Sequence, residues 1–85
     1  MTAQELRDLI EELRSKTEVD EASWSIGGGK TRYETELDGK TLIFDRRNDA
    51  DTEKVECFVK VGDYENVYGR DSEEFTLISD FVSWL

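Results

Sequence analysis

Gly29-Lys30-Thr31 ends like a phosphate-binding P-loop. The full pattern needs a glycine where Trp24 stands and a helix after the threonine, so that the helix N-terminus meets the phosphate. Thr31 instead opens an alternating, strand-like stretch, so the glycines read as a hairpin turn and nucleotide binding is rejected. Asp45, Asp49, Asp51, Glu53 and Glu56 offer the oxygen ligands that a calcium ion takes. Counted from Asp45, Glu56 falls at the twelfth position of a calcium loop. Arg47 occupies the third, however, and Ala50 replaces the glycine of the sixth, between flanks that read as strands. This segment is expected to be a solvated loop rather than a metal site.

Nucleophilic and acid–base chemistry fare no better. The chain has no histidine, which removes imidazole catalysis and nearly all catalytic zinc sites. Cys57 has no partner for an internal disulfide, and it lies on the inward side of an apolar strand, where a thiol is a small hydrophobe with a raised pKa. Carboxylates are plentiful, but no pair is marked out as a general acid and base with separated pKa values. The expectation is a non-enzyme without cofactor or metal.

Charge is the most informative property. Asp and Glu number 21 against 11 Lys and Arg, a formal net charge of −10. Bare nucleic acid and anionic membranes are poor partners for such a surface, because each phosphate contact needs a cation. A protein with a basic, nucleic-acid-binding groove is a good one. Glu5, Asp8, Glu11 and Glu12 mark the exposed side of a first helix, and Glu34 and Glu36 point away from Tyr33 and Leu37 on a strand. Outward residues on a strand repeat every ~6.8 Å and helix neighbours lie about 5–6 Å apart, comparable with successive phosphates along a nucleic-acid strand.

The elements that place these residues follow from periodicity. Thr2-Ala3-Gln4-Glu5 fits a capping box, and Leu6, Leu9, Ile10 and Leu13 form one apolar stripe, predicting a helix from Ala3 to Ser15. From Glu21 the period is two: Ala22, Trp24 and Ile26 form a first strand, and Thr31, Tyr33, Thr35 and Leu37 a second. Asp38-Gly39 suits a two-residue type I′ hairpin, after which Leu42 and Phe44 resume the inward side. Asp45 to Thr52 is read as a loop. Val55, Cys57, Val59 and Val61 make the clearest strand, and Tyr64 to Tyr68 a short fifth one. Asp71-Ser72-Glu73-Glu74 starts a second helix, with Phe75, Ile78, Phe81, Val82 and Leu85 on one side.

The resulting expectation is a single α+β domain over residues 1–85. It has an N-terminal helix, a four- to five-stranded antiparallel meander and a C-terminal helix packed on the sheet, both helices covering the same face. Strand parity sends Ile43 and Phe58 to the other face, rimmed by Glu34, Glu36, Glu56 and Lys60, like an interface core with a charged rim. Tyr64 and Tyr68 are further candidate contacts. The candidate partner-binding set is therefore Glu5, Asp8, Glu12, Glu34, Glu36, Ile43, Glu56, Phe58, Tyr64 and Tyr68. Without a signal sequence or an apolar span, the chain reads as cytoplasmic and soluble.

In size, acidity and compactness the chain is similar to the small acidic proteins that phages and mobile elements use against host nucleases, such as anti-restriction and anti-CRISPR proteins. No family motif carries that likeness and no functional residue is transferred from it. It implies an inhibitor that mimics nucleic acid and blocks the basic groove of a nucleic-acid-binding enzyme. The alternative is a non-catalytic structural or adaptor module, a homodimer through Ile43 and Phe58, from an acidic or salt-adapted proteome.

Overall fold

In the computed structural model, which describes residues 1–27, 31–49 and 54–85, the chain runs helix, five strands, helix. The first helix, α1, spans Ala3–Glu18. Its capping box closes as the spacing predicts: the Thr2 hydroxyl accepts from the Glu5 N–H at 3.1 Å and the Glu5 carboxylate accepts from the Thr2 N–H at 2.9 Å. Leu6, Ile10 and Leu13 are buried. The helix continues past Ser15, because nothing in Lys16-Thr17-Glu18 breaks it. The Thr17 hydroxyl donates to the Leu13 carbonyl at 2.6 Å, and the Val19 N–H donates to Ser15 at 3.3 Å. Asp20, at φ 60°, then turns the chain.

Five antiparallel strands follow in chain order across one sheet: β1 (Ser25–Gly27), β2 (Arg32–Leu37), β3 (Lys40–Asp49), β4 (Lys54–Val61) and β5 (Tyr64–Gly69). Asp38 and Gly39 both have positive φ, 52° and 78°, which is what a type I′ hairpin between β2 and β3 requires. The second helix, α2 (Glu73–Trp84), starts at Ser72, whose hydroxyl accepts from the Phe75 N–H at 3.1 Å.

Two expectations about the strands are corrected. The first strand was expected from Ala22, yet β1 begins only at Ser25. Trp24 turns inward instead: its Nε1–H donates to the Thr17 hydroxyl at 2.9 Å, and its ring lies 5.6 Å from that of Phe81. The second correction concerns Asp45 to Thr52, expected as a loop. Residues through Asp49 continue β3, paired with β4 from Asp45↔Phe58 to Asp49↔Lys54; residues 50–52 lie outside the described residues. Alternation divides the charges of this strand between the two faces of the sheet. Asp45 and Arg47 share one face, where the Arg47 Nε–H donates to the Asp45 carboxylate at 3.0 Å. Arg46 takes the opposite face and donates to the hydroxyls of Ser79 and Ser83 on α2, at 3.2 and 3.4 Å.

Both helices cover one face of the sheet, as expected. Leu6, Ile10 and Leu13 of α1 and Ile78, Phe81 and Val82 of α2 join Leu42, Phe44, Cys57, Val59 and Tyr68 in a single cluster. At its centre the Phe44 and Phe81 rings meet edge to face, 5.1 Å apart, the arrangement ring quadrupoles favour. Replacing Phe81 by Ala removes the α2 half of this contact from a fully buried site. The expected outcome is a loss of about 3–5 kcal/mol of unfolding free energy, read from the urea midpoint at unchanged slope.

Candidate functional site

The helix-free face of the sheet presents rows of side chains set by strand register. One row runs Ser25, Glu34, Ile43, Lys60, Glu65, and the next Arg32, Asp45, Phe58, Val67. A third carries Arg47 and Glu56. The β3–β4 part of this face is charge-mixed. The Arg47 guanidinium sits 4.4 Å above the Phe58 ring while bonded to Asp45, whose other oxygen accepts from the Thr31 hydroxyl at 3.0 Å. Asp45 is thereby 7% exposed but fully engaged.

The β1–β2 side has a different character. A shallow depression of about 540 Å³ is lined, among the described residues, by Glu21, Ser23, Ser25, Glu34, Thr35 and Glu36: three carboxylates, three hydroxyls and no lysine or arginine. The strand period places Glu34 and Glu36 on the same face, and the segment before β1 brings Glu21 alongside. Thr35 fixes that segment by donating to the Ser23 carbonyl at 2.6 Å. The ion pairs found among the described residues, Arg7–Glu73 and Arg47–Asp45, lie elsewhere.

The candidate residues do not form one surface. Glu34, Glu36, Glu56 and Phe58 share the open face, whereas Glu5, Asp8 and Glu12 lie on α1, beyond the opposite face. Glu5 is engaged in the capping box, whose hydrogen bonds from Thr2 hold its carboxyl below the ordinary range, and Asp8 accepts from Gln4 at 2.9 Å. Ile43 points to the open face as parity requires, but it is only 5% exposed and is not an accessible contact. Its row neighbours Glu34 and Lys60 lie within about 5 Å Cβ to Cβ, and long side-chain stems of this kind shade an aliphatic group. Phe58 is half-buried beneath Arg47. Tyr64 and Tyr68 lie on the helix side, not the open face. Tyr68 belongs to the core, and the two hydroxyls hydrogen-bond each other at 2.8 Å. Burial pushes the Tyr68 phenol up to about 12, and the bond from Tyr68 lowers that of Tyr64.

Chemistry-bearing residues fall out similarly. Thr31 leads into a strand, not a helix, while Gly29 and Lys30 lie outside the described residues. Asp45 is occupied by Arg47 and Thr31, and among the described residues no group of three or more His, Cys, Asp or Glu is placed to hold a metal ion. Asp51 and Glu53 lie outside those residues. No helix among the described residues is long and apolar enough to cross a membrane. The signal missed in the sequence was alternation within Asp45-Arg46-Arg47, which charge alone disguised as a loop. Compared with known protein families, curated proteins and solved structures, the chain has no significant match.

Cys57 is fully buried between sheet and α2, its thiol directed at the Phe75 carbonyl at 3.7 Å. Burial pushes the thiol from its ordinary 9.0 up to about 11. The unfolded chain therefore releases this proton first, so the thiol's contribution to stability is complete below pH 9.0 and is lost as pH rises towards about 11. Urea midpoints measured across that window should fall more steeply for the native chain than for a Cys57→Val variant. Native Cys57 should also resist thiol reagents that label the unfolded chain at once.

Proposed function

We propose that this protein is a non-catalytic, protein-binding inhibitor that sets its β1–β2 edge into a basic groove and competes there with nucleic acid. The observation that carries this reading is the depression formed by Glu21, Glu34 and Glu36 with Ser23, Ser25 and Thr35, where carboxylates and hydroxyls gather with no lining cation among the described residues. Carboxylates are also what an arginine fork binds in bidentate fashion and a lysine ammonium pairs with as a point charge. The net charge of −10 supports the reading as a long-range term, because a field of that sign accelerates encounter with a cationic partner. The acidic side of α1 adds to this field from the other side of the molecule but takes no part in the contact. The cytoplasm, where nucleic-acid enzymes are reached, is the compartment this reading implies.

Binding should be salt-sensitive and mapped to two residues. The immobilised protein, exposed to lysate of the cells that express it, should retain nucleic-acid-binding proteins that short duplex DNA displaces. Retention should fall about tenfold or more between ~50 and ~200 mM salt. A Glu34→Lys, Glu36→Lys double variant should retain the same proteins at least about tenfold more weakly. Retention that ignores both salt and the double variant overturns the reading.

A further inference from the structure

β5 forms one edge of the sheet, and at six residues it is twice as long as β1 at the other edge. The phase of its hydrogen bonds follows from a neighbour. The Gly62 N–H donates to the Thr41 carbonyl at 3.0 Å, so Gly62, Lys60, Phe58 and Glu56 direct their backbone groups to β3. Val61, Val59 and Cys57 then bond Tyr64, Asn66 and Tyr68, leaving Glu65, Val67 and Gly69 with N–H and C=O groups aimed outward. Such a row is a template for another strand.

Two of those outward groups are occupied. The Gly69 carbonyl accepts from the Ser72 N–H at 3.1 Å and from its hydroxyl at 2.8 Å, bonds that belong to the start of α2. The Val67 N–H is taken by a single exposed side chain: Asn66 Oδ1 accepts from it at 2.8 Å. The Asn66 amide in turn approaches the Tyr64 hydroxyl, its Nδ2–H donating at 3.5 Å, and that hydroxyl is bonded to Tyr68. Val67 is 44% exposed and ends the row that contains Phe58.

We infer that β5 is a pairing edge for a second copy of this chain, and that the Asn66 side chain holds it closed. The pairing is antiparallel about a two-fold axis at Asn66. Val67 N–H then donates to the carbonyl of Glu65 in the second copy, and Glu65 N–H of that copy donates to the Val67 carbonyl, with both bonds repeated by symmetry. Gly69 and its bonds to Ser72 are left undisturbed. The exposed Val67 gains a cross-strand neighbour, extending the row from Phe58 across the junction. This inference is independent of the anionic-edge reading, and its salt dependence has the opposite sign. Two chains of charge −10 repel, so salt screens and strengthens the pairing.

The experiment is sedimentation of the purified chain and its variants, with circular dichroism to confirm the fold. Asn66→Val removes the amide and introduces a strand-forming residue; Asn66→Ala removes it without adding bulk. Both should self-associate at least about tenfold more tightly than the native chain, and more so at higher salt. Adding Val67→Glu to either, which sets like charges opposite Glu65 of the second copy, should return the monomer. Native-like sedimentation of both variants overturns the inference. So does a native chain that dimerises as tightly as they do, or a variant dimer that survives Val67→Glu.

Discussion

Phe44 on the central strand and Phe81 on α2 meet edge to face, and Trp24 leans on both. A chain of this size has room for one core, so the sheet must offer a single apolar face and both helices must share it. From this constraint the rest follows. The segment before β1 gives up its ladder so that Trp24 can reach Thr17 and Phe81. Arg46, stranded on the helix side, extends to Ser79 and Ser83 at the margin of the core. Every strand turns its other side away from the helices, and most of the excess charge is left there or on the outer sides of α1 and α2.

The parts of the fold legible from sequence were those where local pattern and tertiary demand agree. The capping box at Thr2 and Glu5, the Asp38-Gly39 turn, and the alternation of Val55, Cys57, Val59 and Val61 each specify a local geometry that packing then accepts. Residues 45–49 were illegible because their strand character resides in partners far along the chain: Phe58 and Cys57 across the ladder, Ser79 and Ser83 on α2. The same blindness affected the surface. Parity correctly sent Ile43 outward, yet whether an outward residue is accessible depends on its row neighbours Glu34 and Lys60, which only register reveals. Tyr64 and Tyr68 read as contacts from composition and proved to be a bonded pair on the core side.

Net charge concealed a division of labour. Near Phe58 the acids are met by bases: Asp45 by Arg47 directly, and Glu56 by Arg47 as its register partner. Around Glu21, Glu34 and Glu36 no such cation lines the surface among the described residues. Total charge acts at long range and sets encounter, whereas local pairing sets what can dock. Proximity in chain order did not predict this division, since Glu21 joins Glu34 and Glu36 only because β1 folds back along β2.

Because the strands lie side by side in the order of synthesis, each pairs with a segment that has just preceded it, across turns as short as Asp38-Gly39. Loop closure is entropically mild at every such step. The exception is α1, which meets α2 from the far end of the chain, through contacts such as Arg7 with Glu73, 66 positions apart. Hairpins and α2 can thus assemble rapidly from neighbours, with α1 arriving last to seal the hydrophobic interior. Until it does, Leu42 and Phe44 lack the cover of Leu6, Ile10 and Leu13, and transiently exposed apolar surface of this kind is what leads a folding chain to aggregate.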